Sequence, residues 1–576
     1  MKKIIKLSSA VLAVLIAAGL CACSTVSVSD TESTTAEATE NTTAEATENT
    51  TAEATESTTV DIPAPVVEGD FEIETSDGTY TKNGNVYTIT SAGTYTLTGA
   101  LSDGQIIVSA GDDDEVELDL NGVSVTCSTD SPIYVKNADK VKIKAVSGTS
   151  NAVNDTRALE TDESDTTGSA AIYALCDMNL IGTGTLIVTA SYNNGVQTKD
   201  DLKIKNLTLC VTAPNNAIKG NDSVTIESGN ITAISTSGDG IETDNSDISS
   251  KGNQRGTVTI SGGTITIYAA CDGIDAAYNA DISGSDTTIT INTHSYSAYT
   301  ASSAKKTTTA LGVTKSADSA KGIKADNSIT ISDGTIVIKC MDDGIHANND
   351  VALENGSSPL GDITVSGGNI TVTAADDGIH ADGTLLIEGG YIDIVDSHEG
   401  LEAHYITIND GEIHVYATDD GVNATSSDDR KSDGLITVNG GKVYVEVAGK
   451  DVDGVDSNGS YKQTGGFVVI SDPNADQIGN MSAVDVDDTV SVTGGVIIAL
   501  GTVPSGQGRP GGRFGMGGVK SSSSLPSGYV TFSGTLSAGT HTFTFGSISE
   551  TFTLKSKVSN GWIWASGISS SNYTLE

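Results

Sequence analysis

The sequence predicts an all-β protein whose main part is a parallel β-helix, a solenoid of stacked three-strand coils, followed by a small antiparallel β unit. Composition indicates β-structure, because the 576 residues include 64 glycines, many Ser, Thr, Asp and Asn residues and only 5% aromatic residues, which is typical of turn-rich chains. Apolar and polar residues alternate, as they do in half-buried strands. A short motif also recurs at intervals that are often close to 22 residues, and an internal period of that size marks a solenoid.

Residues 1–22 are predicted to be a lipoprotein signal peptide. A basic start, MKKIIK, precedes the apolar run LSSAVLAVLIAAGL, which is too short for an ordinary membrane span. The stretch Leu20-Cys21-Ala22-Cys23 resembles a bacterial lipobox, which implies acylation of Cys23 after cleavage; an ordinary secretory signal that ends nearby is the alternative. In both cases the chain is exported, and the lipobox implies a lipid anchor to the bacterial membrane and exposure at the cell surface.

Residues 23–66 are predicted to be a spacer. From Thr31 to Thr59 the text TTAEATEN repeats, without a large apolar residue and with frequent glutamates. Such a segment cannot form a core and is expected to be solvated and self-repelling. Helix is the rival interpretation for so much Ala and Glu, but the Thr pairs and the lack of an apolar stripe oppose a packed helix.

Residues 67–500 are predicted to form the β-helix. A small residue precedes an aliphatic one at Gly195, Ala217, Gly240, Gly273, Gly322, Gly344, Gly378, Gly400, Gly421 and Gly454. One period, NSITISDGTIVIKCMDDGIHA, contains three short alternating strands with a turn at Asp333-Gly334. Leucine-rich repeats would need a Leu-rich frame and an Asn ladder, a β-propeller would need longer four-stranded units, and calcium nonapeptide repeats would show GGxGxD. None of these signatures is found in the sequence.

The C-terminal region changes character twice. Residues 501–526 are rich in Gly and Ser and are predicted to be a flexible linker. Residues 527–576 alternate strictly, which predicts a small antiparallel unit that covers the open end of the solenoid. Within it, NGWIWASG places Trp562 and Trp564 on one face of a strand. These two side chains form either a sugar-binding platform or the core of the unit.

Stacked coils turn the repeated positions into columns, because equivalent residues of neighbouring coils lie about 4.8 Å apart. The position before the small residue gives a first column of Asp239, Asp272, Lys321, Asp343, Asp377, Glu399, Asp420 and Asp453. The second position after the small residue gives a second column of Glu242, Asp275, Lys324, His346, His380, Glu402, Asn423 and Asp456. Two like charges about 5 Å apart repel by roughly 3 kcal/mol at an effective dielectric constant of about 20. Both columns are therefore expected to need cations or protons.

Calcium is the cation that the acidic columns favour, since it takes roughly six to eight oxygen ligands and tolerates irregular geometry. The candidate ligands are Asp239, Asp272, Asp275, Asp342, Asp343, Asp376, Asp377, Glu399, Glu402, Asp419, Asp420, Asp451, Asp453 and Asp456. The strongest of these are the doubled acids and the spaced set Asp451, Asp453 and Asp456. The alternative is that the Asp residues serve turns and cap backbone amides ahead of a glycine that allows positive φ.

A transition metal is a second interpretation of the second column. His346, His380 and Glu402 occupy it in three consecutive coils, and two imidazoles with one carboxylate suit zinc or iron. The alternative is that the three side chains are solvated and hydrogen-bond to one another.

The net charge narrows the range of binding partners, and the cysteine spacing bears on disulfide formation. A formal net charge of −44 repels nucleic acid and anionic lipid surfaces and concentrates cations. Five cysteines follow Cys23 at wide spacings, and an odd number of this kind does not indicate a disulfide framework. We expect most of them to be buried small hydrophobes.

Several phrases together resemble the bacterial cell-surface carbohydrate-binding β-helix family. They are DDGIHADGTLLIEGGYIDI, SHEGLEAHYITINDGEIHVYATDDGVNAT and AKGIKADNSITISDGTIVI, together with the upstream GTYTLTGALSDGQIIV and PIYVKNADKVKIKA. The resemblance covers roughly Gly69 to Leu500. It implies a right-handed parallel β-helix with a fold similar to pectate lyases, bound calcium, and binding of acidic polysaccharides such as polygalacturonate, or of cellulose.

Direct sugar contacts are predicted from the few aromatic and basic side chains near the acidic columns. The candidates are Tyr296, Tyr299, Lys321, Lys324, His346 and His380. Tyr296 and Tyr299 belong to a long insert between two coils, for which a loop without ligand is the alternative.

A calcium-dependent lyase is the alternative enzymatic function, and it would need a basic side chain to remove a proton from the sugar. Lys321 and Lys324 stand in the right columns. Neighbouring carboxylates should raise the pKa of a lysine and oppose that role, so no catalytic residue is assigned. A structural surface adhesin with a protein partner is a third possibility. The chain is expected to be monomeric.

Overall fold

The computed structural model describes residues 67–159, 167–293, 319–349, 352–354, 356–427, 431–449, 452–473, 483–501 and 526–576. Strands and turns make up this part of the chain, and no helix occurs in it. Accordingly, no helix long and apolar enough to cross a membrane is found among the described residues. The predicted signal peptide and spacer, with Cys23, lie outside the described residues.

The N-terminal strands start the solenoid with two antiparallel pairings. They are β1 (Glu72–Glu74), β2 (Tyr80–Asn83), β3 (Val86–Ile89), β4 (Gly93–Leu101), β5 (Gln105–Ser109), β6 (Glu115–Cys127), β7 (Ile133–Asn137), β8 (Lys140–Ala145) and β9 (Ser150–Asp155). Strand β1 pairs antiparallel with β4, and β2 with β3. Parallel pairing begins with β3–β5 and β4–β6, so the coils before β7 are irregular.

The regular coils follow in two groups. The first group is β10 (Ala170–Ala174), β11 (Asp177–Gly182), β12 (Thr185–Ala190), β13 (Asn194–Thr198), β14 (Asp201–Lys205), β15 (Thr208–Ala213), β16 (Ile218–Gly220), β17 (Ser223–Ile226), β18 (Asn230–Ser235), β19 (Ile241–Glu242), β20 (Thr257–Ile260), β21 (Thr264–Tyr268), β22 (Ile274–Ala276), β23 (Asn279–Ile282), β24 (Thr288–Thr293), β25 (Ile323–Ala325), β26 (Ser328–Ile331) and β27 (Thr335–Cys340). The second group is β28 (Ile345–Ala347), β29 (Asp362–Val365), β30 (Asn369–Thr373), β31 (Ile379–Ile387), β32 (Tyr391–Ser397), β33 (Leu401–Ile408), β34 (Glu412–Ala417), β35 (Val422–Ala424), β36 (Gly434–Val438), β37 (Lys442–Val447), β38 (Val455–Ser457), β39 (Gly459–Gln463), β40 (Phe467–Ser471), β41 (Val484–Val486), β42 (Val490–Val492) and β43 (Val496–Leu500).

Most strands of the regular coils pair in parallel with the strand three places further along the chain, as in β10–β13, β11–β14 and β12–β15, and those from β29 to β33 also pair two places further. Three strands therefore make one coil, and neighbouring coils stack in register. Strands β31 and β33 each continue through a corner and serve two sides of the coil. The predicted all-β solenoid with a parallel sheet is confirmed. The side that runs from β10 and β13 through β22, β28 and β35 to β41 carries the predicted charged columns and is named the acidic sheet.

The core of the solenoid is a set of aliphatic ladders. On the acidic sheet, Ile274 lies in register with Ile323, which precedes Ile345 in the next coil, and all three are fully buried. Burial of one such side chain stabilises the fold by about 2 kcal/mol. The strict alternation of buried and half-exposed residues along each strand explains why the period of two was visible in the sequence.

Glycines serve two different turns of the coil. Gly334, in the turn between β26 and β27, has φ +108°, a conformation that favours glycine. The repeated glycine before the acidic sheet has another reason, since Gly273 does not have a positive φ. A Cβ on Gly273 would lie 2.3 Å from Cγ2 of Ile291 and 2.6 Å from the carbonyl oxygen of Gly322. The expectation of positive φ at the repeated glycine is therefore wrong, and close approach between coils is the cause.

The C-terminal strands are β44 (Val530–Leu536), β45 (Gly539–Phe545), β46 (Ile548–Leu554), β47 (Val558–Ala565) and β48 (Tyr573–Leu575). Strand β47 pairs antiparallel with β43 of the last coil and with β44, so it covers a strand edge that the solenoid would leave open. Trp562 and Trp564 are 1% and 8% exposed and pack in the solenoid core. They are core side chains, and the sugar-platform alternative is wrong.

Candidate functional site

The second predicted column is confirmed by the strand register of the acidic sheet. Glu242 pairs with Asp275, Asp275 with Lys324, and Lys324 with His346. The alignment then continues through His380, Glu402, Asn423 and Asp456.

The column is longer than the sequence analysis recognised. It extends earlier through Lys219 and Gln197, and later to Asp485. Lys219 follows Ala217-Ile218 and Asp485 follows Ala483-Val484, so the small-aliphatic signal was present at both ends. Lys219 forms ion pairs with Glu242 at 2.9 Å and with Asp244 at 2.6 Å, which compensates this end of the column.

The first predicted column is a ladder of side chains that accept backbone amides of the next coil. Asp239 Oδ1 accepts from the Asp272 amide at 2.9 Å, and Asp272 Oδ1 accepts from the Lys321 amide at 2.7 Å. Asp420 Oδ1 accepts from the Asp453 amide at 2.7 Å. The turn-capping interpretation is thus correct for one oxygen of each of these carboxylates, and the second oxygen of Asp272 accepts from the Ser319 hydroxyl at 3.1 Å.

Two lysines neutralise the middle of the columns. Lys321 Nζ lies 2.7 Å from Asp343 and 3.0 Å from Asp342, and Lys324 Nζ lies 3.0 Å from Asp275. Burial opposes the charged form of Lys321, but Asp343 and Asp342 outweigh it and raise its pKa above the ordinary 10.5. The pKa of Lys324 is raised likewise, because Asp275 outweighs burial. Both directions agree with the sequence-based expectation.

Two histidines stack in the next coils. The rings of His346 and His380 lie 4.4 Å apart with an interplanar angle of 18°. Burial lowers the pKa of His346, but the hydrogen bond with Asp343 and the nearby Asp382 carboxylate outweigh it and raise the pKa to about 9. Burial raises the pKa of Asp343, yet His346 and Lys321 hold it well below its ordinary value. The imidazole of His346 and the Asp343 carboxylate are therefore both charged near neutral pH.

An N-terminal acid cluster is formed by Asp239, Asp272 and Asp275. One carboxylate oxygen of each lies within 4.8 Å of the others. Burial, followed by the charges of Asp275 and Asp272, raises the pKa of Asp239 to about 8. Burial and Asp275 raise the pKa of Asp272 to about 6 although the Lys321 amide and Ser319 donate to it. Among the described residues, Lys324 forms an ion pair with Asp275 and acts on Asp272 over a longer distance.

A C-terminal acid cluster is formed by Glu399, Glu402, Asp420, Asn423 and Asp456. Burial is the main cause that raises the pKa values of the four acids, to about 8 for Glu399, about 9 for Glu402, about 6 for Asp420 and about 7 for Asp456. Neighbouring carboxylates add to the shift in each case. Asn423 Nδ2 donates to Glu399 at 2.9 Å, while the buried Asn423 Oδ1 has no hydrogen-bond partner in the described part of the chain.

Other predicted ligands lie around these clusters. Asp342, Asp343 and Asp376 bring carboxylate oxygens within 4.8 Å of one another, and so do Asp377 and Glu402 with a nitrogen of His380. Asp419 is more peripheral, at 3.4 Å from His398 Nε2 and 37% exposed. Asp451, Tyr296 and Tyr299 lie outside the described residues.

A further acidic group was missed by the sequence analysis. Asp177, Asp200 and Asp201 bring carboxylate oxygens within 4.8 Å of one another at the start of β11 and β14. The doubled acid in KDDLKI was a visible signal, but it precedes a strand outside the acidic sheet.

Comparison with known proteins gives two partial relatives. A protein of Acetivibrio thermocellus described as "Carbohydrate-binding domain-containing protein" is 41% identical over 126 residues, which make up 22% of this chain and 44% of the relative. The chain thus matches less than half the length of that relative. A solved structure, "Structure of the polysaccharide lyase-like protein from C. thermocellum, Gadolinium derivative", is 37% identical with a TM-score of 0.35, over 38% of this chain and 86% of that chain.

The family comparison covers more of the molecule. A family model described as "Carbohydrate-binding domain-containing protein" matches residues 83–361 and 357–451. These residues include the N-terminal acid cluster, both stacked histidines and most of the C-terminal acid cluster. Because the match extends over more than half of the chain, the protein belongs to the carbohydrate-binding domain-containing family.

Proposed function

We propose that this chain binds polysaccharide along the acidic sheet of a right-handed parallel β-helix, and that calcium ions stabilise this sheet. The preferred glycan is an acidic one such as polygalacturonate, with cellulose as the second candidate. Membership of the carbohydrate-binding domain-containing family supports polysaccharide as the partner. The acidic sheet is the surface on which the chain concentrates charge.

The N-terminal acid cluster is the observation that carries the calcium proposal. Asp239, Asp272 and Asp275 offer oxygen atoms from neighbouring coils within 4.8 Å of one another, and Ca²⁺ binds such carboxylate oxygens in irregular geometry. Within the described residues, neither Asp239 nor Asp272 forms an ion pair. When bound, calcium would supply the positive charge that attracts the carboxylates of a polyuronate.

The C-terminal acid cluster supports a second calcium ion. Its donors are all oxygen atoms, and Asn423 Oδ1 is buried without a hydrogen bond among the described residues. Glu402 precedes Asn423 and Asp456 follows it in the same column, so an amide oxygen lies between two carboxylates. A hard cation satisfies such a set better than protons do.

Lyase activity receives less support than binding. A base that removes a sugar proton must be neutral in its resting state, whereas the carboxylates around Lys321 and Lys324 raise their pKa values. Charge compensation is the role that fits both side chains. Lyase activity is therefore the alternative function that the experiment also tests.

The experiment measures retention of the purified chain on polygalacturonate and on cellulose, in calcium and in chelator. The double variant Asp239→Asn, Asp272→Asn removes two charges while the amide oxygens can still accept the backbone amides of the next coil. We expect at least tenfold weaker binding in calcium for this variant and unchanged binding for the control Asp113→Asn, which alters an exposed acid.

Three other outcomes separate the alternatives. A calcium-dependent rise in ultraviolet absorbance, from unsaturated uronide product, would make the acidic sheet an active site. Calcium-dependent folding without retention on either glycan would favour a structural adhesin with a protein partner. Retention that is equal in calcium and in chelator would refute the role of calcium in binding.

We also propose that Cys23 is acylated and anchors a monomeric chain at the bacterial cell surface. The lipobox-like Leu20-Cys21-Ala22-Cys23 supports this proposal. Replacement of Cys23 by Ser should release the chain from the membrane fraction of the producing bacterium into the medium, and retention of the variant in the membrane fraction would refute the anchor.

A further inference from the structure

Two copies of the sequence Asp-Gly-Ile-His build one cluster of histidines on the acidic sheet. In each copy the aspartate contacts the histidine three residues later, with His346 Nδ1 at 2.6 Å from Asp343 Oδ2 and His380 Nδ1 at 3.1 Å from Asp377 Oδ2. Consecutive coils stack the two histidines in register. The duplicated motif therefore aims two Nδ1 atoms at the same side, where the carboxylates of Asp343 and Asp377 lie.

Asp382 lies at the opposite edge of both imidazole rings. Its Oδ1 atom lies 3.4 Å from Nε2 of His346 and 3.3 Å from Nε2 of His380. A single carboxylate oxygen thus lies within ion-pair distance of both Nε2 atoms, and Asp382 is itself fixed by the backbone amide of Asn349, which donates to Oδ2 at 2.8 Å. Metal-binding histidines are commonly oriented in this way, through a carboxylate on the ring nitrogen that does not bind the metal.

The Nδ1 side gathers the donors of a metal site. One atom each of Asp343, His346 and His380 lies within 4.8 Å of the others, and the same holds for Asp377, His380 and Glu402. The histidine side chains are only 13% and 23% exposed. Donor atoms around a tetrahedral zinc ion are roughly 3.3 Å apart, so shifts of about 1 Å would bring these side chains to binding distance.

We propose that this cluster binds a divalent transition metal ion, with zinc as the best match, through Nδ1 of His346 and His380 and the carboxylate of Asp343. Asp377 and Glu402 stand beside the site as further carboxylates, and Asp382 is a positioning residue. Two imidazoles select zinc over calcium, which prefers oxygen ligands. The three proposed ligands belong to neither acid cluster, although Glu402 of the C-terminal acid cluster lies beside His380, and the set leaves a fourth position for water or a ligand oxygen.

The rings must open when the metal binds. Nearly parallel rings 4.4 Å apart cannot both point Nδ1 in the ring plane at one ion, so their planes have to tilt toward it. A change in the histidine proton resonances on metal addition is therefore expected together with binding.

The test is a calorimetric titration of the full chain with Zn²⁺ in saturating Ca²⁺, which fills the sites made of oxygen ligands. A parallel titration with Co²⁺ reports nitrogen ligation through its visible absorption. We expect one histidine-dependent site per chain, and at least tenfold weaker Zn²⁺ binding in His346→Gln and in His380→Gln. The control His414→Gln changes a histidine of β34, outside the acidic sheet, and should bind Zn²⁺ like the wild type.

The positioning role of Asp382 has its own readout. Asp382→Asn should weaken Zn²⁺ binding by about tenfold, as loss of an orienting carboxylate does, and Asp382→Glu should restore part of it. Circular dichroism and thermal unfolding establish that each variant is folded. Wild-type Zn²⁺ affinity in both histidine variants, or the absence of a histidine-dependent Co²⁺ spectrum, would overturn the proposal and leave an ion-pair cluster only.

Discussion

At the scale of single residues, the sequence located the repeated glycine correctly but suggested the wrong physical reason for it. The repeated glycine before the acidic sheet was recognised from its spacing, yet its backbone is ordinary, and the space between coils excludes a side chain there. That reason could not be predicted, because it depends on Ile291 and Gly322, which are 18 and 49 residues further along the chain than Gly273. The acids beside the glycine likewise have two roles, since one oxygen caps an amide and the other faces its neighbours.

Gly273→Ala should destabilise the solenoid. The new methyl group would lie 2.3 Å from Ile291 Cγ2 and 2.6 Å from a backbone oxygen, and such overpacking costs about 1–3 kcal/mol. Thermal unfolding in calcium measures the loss. Gly111→Ala is the matched control, because its methyl group would meet only the end of the Asp114 side chain, at 3.1 Å. Equal melting temperatures of Gly273→Ala and the wild type would show that the coils separate easily.

Lys321→Met should destabilise the chain more than the loss of a surface ion pair does. Asp342 and Asp343 are buried to 4% and 2% exposure, and loss of Lys321 removes the ammonium group that lies close to both, so that His346 alone faces Asp343 as a cation, at a cost of about 3 kcal/mol. Denaturant unfolding measures the effect, with the exposed Lys339→Met as control. Addition of Asp342→Asn to Lys321→Met should restore part of the stability. A loss no larger than that of the control would mean that water already solvates the pair.

Strands and columns form the scale at which the sequence was most informative. Period-two alternation and the 22-residue spacing predicted the stacked strands, and the register places Glu242, Asp275, Lys324 and His346 in one column as expected. The sequence did not reveal which acids are neutralised. That depends on where the side chains of Lys219, Lys321 and Lys324 end, and long side chains can reach either neighbouring coil.

The N-terminal acid cluster should make stability depend on pH when calcium is removed. The folded pKa values of Asp239 and Asp272, about 8 and about 6, lie above the ordinary 3.8. Raised carboxylate pKa values favour the protonated folded state, so stability is lost as pH rises from about 4 through about 8. We expect the melting temperature in chelator to fall by several degrees between pH 5 and pH 8.

Added calcium and the variant Asp239→Asn test the contribution of the N-terminal acid cluster to this pH dependence. Calcium should raise the melting temperature more at pH 8 than at pH 5, because protons compete for the same oxygens. Asp239→Asn should reduce the pH dependence in chelator. The parts contributed by Asp272, by the acids of the C-terminal acid cluster and by His346, whose raised pKa values also remove stability as pH rises, remain. A melting temperature in chelator that rises from pH 5 to pH 8 would contradict the assignment.

At the scale of the whole molecule, the sequence predicted the solenoid but did not decide the role of the tryptophans in the C-terminal unit. The two tryptophans could be assigned to strand β47 but not to a face, since alternation does not tell which side is covered. The structure decides because β47 pairs with β43 and both indoles are buried. The C-terminal unit is also joined to the solenoid by the Lys442–Glu550 ion pair at 2.6 Å and by the Lys555 amide, which donates to Glu446 at 2.7 Å.

Trp562→Ala should therefore change stability without changing glycan affinity. Trp562 is 1% exposed and packs with the last coils, and removal of a buried indole costs about 3–5 kcal/mol. Because β47 closes an exposed strand edge, partial opening should also increase aggregation on heating. Thermal unfolding with light scattering measures both effects, and retention on polygalacturonate in calcium should match the wild type. Lost retention with an unchanged melting temperature would instead return Trp562 to the sugar-binding surface.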